Sequence, residues 1–204
     1  YPLAVARARK AIQEAEKYGF LGENILGSGR NFHVRLIQGA GAFVCGEETA
    51  LLASIEGHRG EPRPRPPYPA QAGLFGKPTL VNNVKTLAAA ARIAAEGPEP
   101  FLAAGGKGGT VLFALAGKVA NAGLVEVPRG TTLRQVIFDI CGGMEGGRKF
   151  RAVQIGGPSG GCLPESLLDT PVDFETLVAQ GAILGSGGLV VLDENDCLVE
   201  TARY

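Results

Sequence analysis

Tryptophan is absent from this chain of 204 residues, methionine occurs once and histidine only twice. His33 lies in an alternating, strand-like stretch and His58 follows Gly57, so sequence supports neither a metal-binding histidine pair nor a catalytic dyad. Charge of one sign is missing as well. Lys plus Arg and Asp plus Glu both total 20, which excludes general attraction to nucleic acid or an anionic membrane surface and leaves any phosphate recognition to local groups. No apolar run approaches the roughly 20 residues of a membrane span, direct membrane insertion is not expected, and the first residues lack a secretory leader's layout. Cys45, Cys141, Cys162 and Cys197 are too far apart for a CxxC zinc or iron–sulfur motif. They read as buried free thiols of a cytoplasmic protein rather than a disulfide framework. The Gly-Lys-Ser/Thr of a phosphate-binding P-loop is absent, which argues against ATP or GTP hydrolysis.

What is abundant is glycine. The 31 glycines fall in clusters between apolar segments, without a collagen-like period. With 45% hydrophobic residues, the chain is expected to build two modest cores. Pro2 suits the first turn of a helix along which Val5, Ala8, Ile12 and Ala15 recur, with Gly19 as C-cap. Phe32, Val34 and Leu36 alternate with His33 and Arg35, which predicts a half-buried strand over 32–37. The small-residue loop Gly39–Gly46 leads into a helix from Glu47 to Gly57. The prolines between Pro62 and Pro69 impose extended backbone interleaved with Arg63, Arg65 and Tyr68. A further helix follows Asn82 or Asn83 as cap and ends at Gly97-Pro98.

Beyond the glycine-rich linker Gly105–Gly109 the pattern turns to β. Val111–Leu115 and Val125–Val127 read as a strand pair, Thr131 or Thr132 as the cap of a helix through Ile140, and Ala152–Ile155 and Gly188–Leu192 as further strands. Strand pair, helix, further strands is a β-grasp order. The loop Gly156–Gly161 lacks a basic partner and a helix start, so it reads as a structural turn, and Cys141 and Cys162 as packing residues.

Chemistry concentrates between Gly39 and Thr49. A glycine loop entering a helix normally offers backbone N–H groups to phosphate. Here Glu47 and Glu48 stand in that first turn and would repel an adjacent phosphate. Two readings remain open: ordinary helix-terminal charge, or acceptors for ribose hydroxyls or the nicotinamide carboxamide.

The motifs Gly41-Ala-Phe-Val-Cys-Gly-Glu-Glu-Thr-Ala50, Ser54-Ile-Glu-Gly57, Pro62-Arg-Pro-Arg-Pro-Pro-Tyr-Pro69 and Gly76-Lys-Pro-Thr-Leu-Val-Asn-Asn83 resemble, in order, the flavin- and NADH-binding subunit of complex I-like NADH dehydrogenases and NAD(P)-linked hydrogenases. Phe113-Ala-Leu-Ala-Gly-Lys118, Gly123-Leu-Val-Glu-Val-Pro128, Gly130-Thr-Thr-Leu-Arg134 and Gly156-Gly-Pro-Ser-Gly-Gly-Cys162 resemble the SLBB domain of the same subunit. The resemblance implies an α/β (α+β overall) chain. Residues 1–104 would form the second half of a Rossmann-like FMN/NADH domain, 105–193 a ubiquitin-like β-grasp domain, and 194–204 the start of a segment leading to a helical 4Fe–4S domain. It implies that Gly46, Glu47 and Glu48 lie at the flavin and nicotinamide, that Arg65 and Tyr68 face the NADH side, and that Asn82 and Asn83 hold FMN. Phe43 stands where respiratory members more often carry Tyr, keeping the ring without the hydroxyl. Implied partners are a thioredoxin-like 2Fe–2S subunit and other subunits of an electron-transfer complex peripheral to a membrane. The family's upstream Gly-Arg-Gly-Gly-Ala-Gly-Phe loop and its Cys-Gly-Lys-Cys cluster motif do not occur here. Together with a start at Tyr1 rather than Met, this leads to the expectation of an internal fragment with an incomplete flavin site.

Overall fold

The computed structural model describes residues 1–105, 109–157 and 160–203. The expected linker at 105–109 and turn at 156–161 thus each include positions outside the described residues. The chain divides into two compact units, Tyr1–Asn83 and Val84–Tyr204.

The first unit is helical and open. Helix α1 (Pro2–Lys17) starts with Pro2 in its first turn, and Gly19 just beyond it adopts φ +74°. The predicted stripe Val5, Ala8, Ile12 and Ala15 is its half-buried face, and no residue of the helix is fully buried. The strand expected over 32–37 does not form. Phe32 makes a single two-bond bridge to Gly22, and residues 33–37 run on exposed on both faces without a ladder. A strand needs a neighbour for its N–H and C=O groups and a surface to bury its apolar side. Among the described residues, this unit supplies neither. The glycine loop instead ends in a 3₁₀ turn, Phe43–Gly46, followed by α2 (Glu48–Ile55), which buries Thr49, Ala50, Leu52 and Ala53. The proline strap 62–68 is non-helical as expected, and α3 (Pro69–Ala72) begins at its end.

The second unit begins with α4 (Val84–Glu96), directly after Asn83, and α5 (Pro98–Ala103), the two separated by Gly97 at φ +87°. Five strands follow: β1 (Thr110–Gly117), β2 (Gly123–Pro128), β3 (Phe150–Ile155), β4 (Gly161–Pro164) and β5 (Gly188–Asp193). Their order in the sheet is β2-β1-β5-β3-β4, with β1 and β5 parallel and all other neighbours antiparallel. This is the β-grasp order expected from the sequence. Alternate residues Val111, Phe113 and Leu115 of β1 point into one core with Val127, Ile155, Leu189 and Val191.

The connection after β2 covers that core. Thr132 caps it: its hydroxyl accepts from the Gln135 N–H at 3.2 Å, while Gln135 Oε1 accepts from the Thr132 N–H at 2.9 Å. The residues that follow form a π-helix, Gln135–Ile140, which buries Val136 and Ile137. Two short helices complete the chain, α6 (Phe174–Ala179) and α7 (Leu198–Arg203).

Strand β4 was not read from sequence. It returns along β3 from Ile155↔Gly161 to Ala152↔Pro164 and forms the edge of the sheet, with β3 between it and β5. This also corrects the cysteine reading. All four thiols are free, but only Cys141 is buried; Cys45 is half-buried, and Cys162 and Cys197 are exposed. Cys162 is exposed because it alternates with buried Leu163 on β4 and takes the outward direction.

Candidate functional site

The first turn of α2 and the proline strap meet through side chains. Glu47 is the N-cap of α2, and its Oε2 accepts from the backbone N–H groups of Thr49 and Ala50, both at 2.9 Å. The Thr49 hydroxyl donates to the same oxygen. That hydroxyl also accepts from the Arg63 N–H at 2.8 Å, bringing the strap onto the helix. Two residues further on, Arg65 Nη1 donates to Glu48 Oε1 at 2.6 Å, and its Nη2 lies 3.9 Å from Glu47 Oε1. A small pocket opens beside this junction, lined by Thr49, Arg63, Pro64, Pro67, Pro69 and Ala72.

The electrostatics follow from these contacts. The Thr49 hydroxyl above all, then the Ala50 and Thr49 N–H groups and the Arg65 charge, hold the Glu47 carboxyl below its ordinary 4.5 against the opposing cost of desolvation. Glu47 is therefore a carboxylate at neutral pH. Its capping also answers whether phosphate fits at this helix terminus. Two first-turn N–H groups are already taken by Oε2, and two carboxylates stand in front of them, so an anion is disfavoured here. Glu47 Oε1 and the Glu48 carboxylate are acceptors of the kind that suits neutral hydrogen-bond donors, and the guanidinium of Arg65 supplies a cation alongside.

Gly46 adopts no positive φ, and a Cβ there would meet nothing within 4 Å, so the backbone beside Glu47 is open.

Of the residues singled out from sequence, the structure brings together Glu47, Glu48 and Arg65, with Gly46 adjoining them. Phe43 opens the 3₁₀ turn just upstream with its ring 76% exposed. Tyr68 caps α3, its N–H donating to Gln71 Oε1 at 3.1 Å, and leaves its ring exposed. Asn82 and Asn83 sit exposed at the end of the unit. Thr49 was missed by the sequence reading. A threonine two residues after an N-cap is ordinary locally, and its second partner, Arg63, is 14 residues away.

His33 pairs with Glu23 at 3.1 Å on the surface. Among the described residues no group of three or more His, Cys, Asp or Glu could hold a metal ion, and no helix is long and apolar enough to cross a membrane.

Comparison with known proteins places these observations. Residues 1–92 match the family model of the Nuo51 FMN-binding domain, and residues 112–163 match the SLBB domain. The whole chain is 56% identical to the NADP-reducing hydrogenase subunit HndC of Solidesulfovibrio fructosivorans, covering 42% of that protein. Over 99% of the chain it is 47% identical to an NADH-quinone oxidoreductase subunit of Aquifex aeolicus, covering 46% of it. A crystal structure of NAD⁺-reducing [NiFe]-hydrogenase in the air-oxidised state superimposes on 85% of the chain with TM-score 0.70 and 40% identity, over 29% of the matched chain. The chain thus spans somewhat less than half the length of these curated relatives.

Proposed function

Since the chain belongs to the family of flavin- and NADH-binding subunits of complex I-like dehydrogenases and NAD(P)-linked hydrogenases, we propose that it forms the nicotinamide-facing side of an FMN-dependent NAD(P)H-oxidising site within a longer subunit. The observation that carries this reading is the junction of Glu47, Glu48 and Arg65 beside the open backbone of Gly46. When bound, the flavin supplies hydride acceptance from reduced nicotinamide and release of the electrons singly, toward iron–sulfur clusters. The chain's own residues bind and orient. Glu48 and the free oxygen of Glu47 accept from the carboxamide and ribose. Arg65 turns its charge to the phosphates and Tyr68 stacks on the adenine. Asn82 and Asn83 would orient the flavin, and Phe43 would belong to the surface that holds the cofactors. No side chain here acts as general acid or base.

In this proposal residues 1–104 are the second part of a Rossmann-like FMN/NADH domain, 105–193 the SLBB domain, and 194–204 the approach to a helical domain carrying a 4Fe–4S cluster. The partners are a thioredoxin-like 2Fe–2S subunit and further electron-transfer subunits, with the assembly cytoplasmic and peripheral to a membrane. The relatives' names divide between quinone-linked and hydrogenase-linked subunits, and this site serves either. A purely scaffolding role is disfavoured because Glu47, Glu48, Asn82 and Asn83 are all retained.

The isolated chain holds only part of this pocket and is expected to bind FMN or NADH weakly or not at all. Isothermal titration checks this, and micromolar FMN affinity for the isolated chain would show that the pocket is complete without further residues.

A further inference from the structure

Thr49 is a buried polar side chain of the first unit, 3% exposed, and its hydroxyl has two partners on different segments. It donates to Glu47 Oε2 and accepts from the Arg63 N–H of the strap. Two residues along the strap, Arg65 returns to Glu48, next to Glu47. These contacts close a ring: Glu47, Thr49, Arg63, Arg65, Glu48. Glu47 and the strap that carries Arg65 both bond the one hydroxyl, which adds to the Thr49 and Ala50 N–H groups already on Glu47 Oε2. Without it, Glu47 loses a donor that holds Oε2 turned toward the helix and leaves Oε1 free. The strap loses its hydrogen bond to α2, so the backbone carrying Arg65 is no longer held at the distance that brings its guanidinium to both acids.

We propose that Thr49 is a positioning residue for the dinucleotide, aiming the Glu47 carboxylate and docking the Arg63–Tyr68 strap through a single hydroxyl. It touches neither nucleotide nor flavin and acts through Glu47 and Arg65. This rests on the function proposed above. Because the ring orders the binding surface rather than the reacting atoms, its loss falls on KM for the reduced nucleotide more than on kcat. Valine has nearly the volume of threonine and removes the hydroxyl, whereas serine keeps it.

The test uses the full-length subunit in its complex, with FMN content, KM for NADH and NADPH, and kcat with ferricyanide measured for wild type, Thr49→Val and Thr49→Ser. The expected result is a KM raised about ten-fold in Thr49→Val, the scale of one hydrogen bond to a charged group. FMN content stays at the wild-type level, kcat changes less than KM, and Thr49→Ser recovers most of the loss. An unchanged KM in Thr49→Val, or a serine variant as impaired as the valine one, overturns the proposal. Should Thr49→Val fail to assemble, Arg63→Pro is compared with Arg63→Ala. Both lose the side chain, but only proline lacks the N–H that donates to Thr49. A higher KM in the proline variant supports the assignment, and equal values overturn it. A wild-type complex that carries no flavin and oxidises neither nucleotide overturns the functional reading as well, whereas normal wild-type turnover with an indifferent Thr49 overturns the positioning role alone.

Discussion

The two units of this chain bury their apolar residues very differently. In Val84–Tyr204, Phe113, Leu133, Ile137, Ile155, Leu163, Leu177 and Leu189 are all closed off from solvent around one sheet. In Tyr1–Asn83, buried apolar side chains among the described residues are confined to Ala50, Leu52, Ala53 and Pro69, while Phe32, Leu36, Ile37 and Leu80 stand exposed. The β-grasp unit is held by its core. The first unit is held around α2 by side-chain hydrogen bonds and ion pairs at a helix N-terminus. One consequence is that the second unit is ordered by its own sequence, whereas the first presents apolar surface of a kind that other protein normally covers.

The largest effect that sharpens this contrast is truncation in the core. Phe113→Ala removes a ring at 0% exposure and is expected to cost about 3–5 kcal/mol in urea denaturation of the chain. The same probe should find Leu80→Ala within about 0.5 kcal/mol of wild type, because Leu80 is 87% exposed and has little buried area to lose. Comparable losses at both positions would erase the distinction between the units. Amide hydrogen exchange provides the next reading. The N–H groups of β1, β3 and β5 should exchange only with global unfolding of their unit, and those of residues 33–42 at nearly the solvent rate. Slow exchange through 33–42 would mean that the segment has a ladder after all.

A smaller effect separates the units by pH. Asp193, buried at the end of β5, accepts from Arg148 Nη1 at 2.8 Å and from the Asn195 N–H at 2.8 Å. Arg148 first, and then the Asn195 N–H, hold its carboxyl below the ordinary 3.8. A depressed carboxylate contributes stability that is complete above its unfolded value and is lost as pH falls through the folded one. Acid unfolding of the second unit should therefore steepen below about pH 4, and Asp193→Asn should lower stability at pH 7 while flattening that acid dependence. A variant with the wild-type acid profile would assign the dependence to other groups.

How much of this was legible in the sequence follows the same divide. The strand over Val111–Leu115 and a cap at Thr131 or Thr132 could be read directly, because local patterning and burial agree in a self-contained sheet. The alternation of Phe32, Val34 and Leu36 was equally clear and did not yield a strand, since periodicity specifies a buried face without supplying the strands and surface that bury it. Four-residue β4 was hidden by the glycine-rich sequence that leads into it and by its brevity. At the site, the helix-terminal position of Glu47 and Glu48 was legible from the glycine loop before them. Their tie to Arg65 and the double role of Thr49 were not, because both depend on how a proline strap 14 to 17 residues away folds back.

Of the two readings left open for the acid pair, helix-terminal charge is seen directly, since Glu47 caps α2, while Glu48 and the second oxygen of Glu47 pair with Arg65. The most direct test of the nucleotide-positioning claim is Glu48→Gln in the full-length subunit, with flavin content and NADH:ferricyanide turnover measured against wild type. The account predicts that FMN is retained and NADH turnover is largely lost; unchanged turnover would reduce Glu48 to helix-terminal charge and move the nicotinamide contact to other residues.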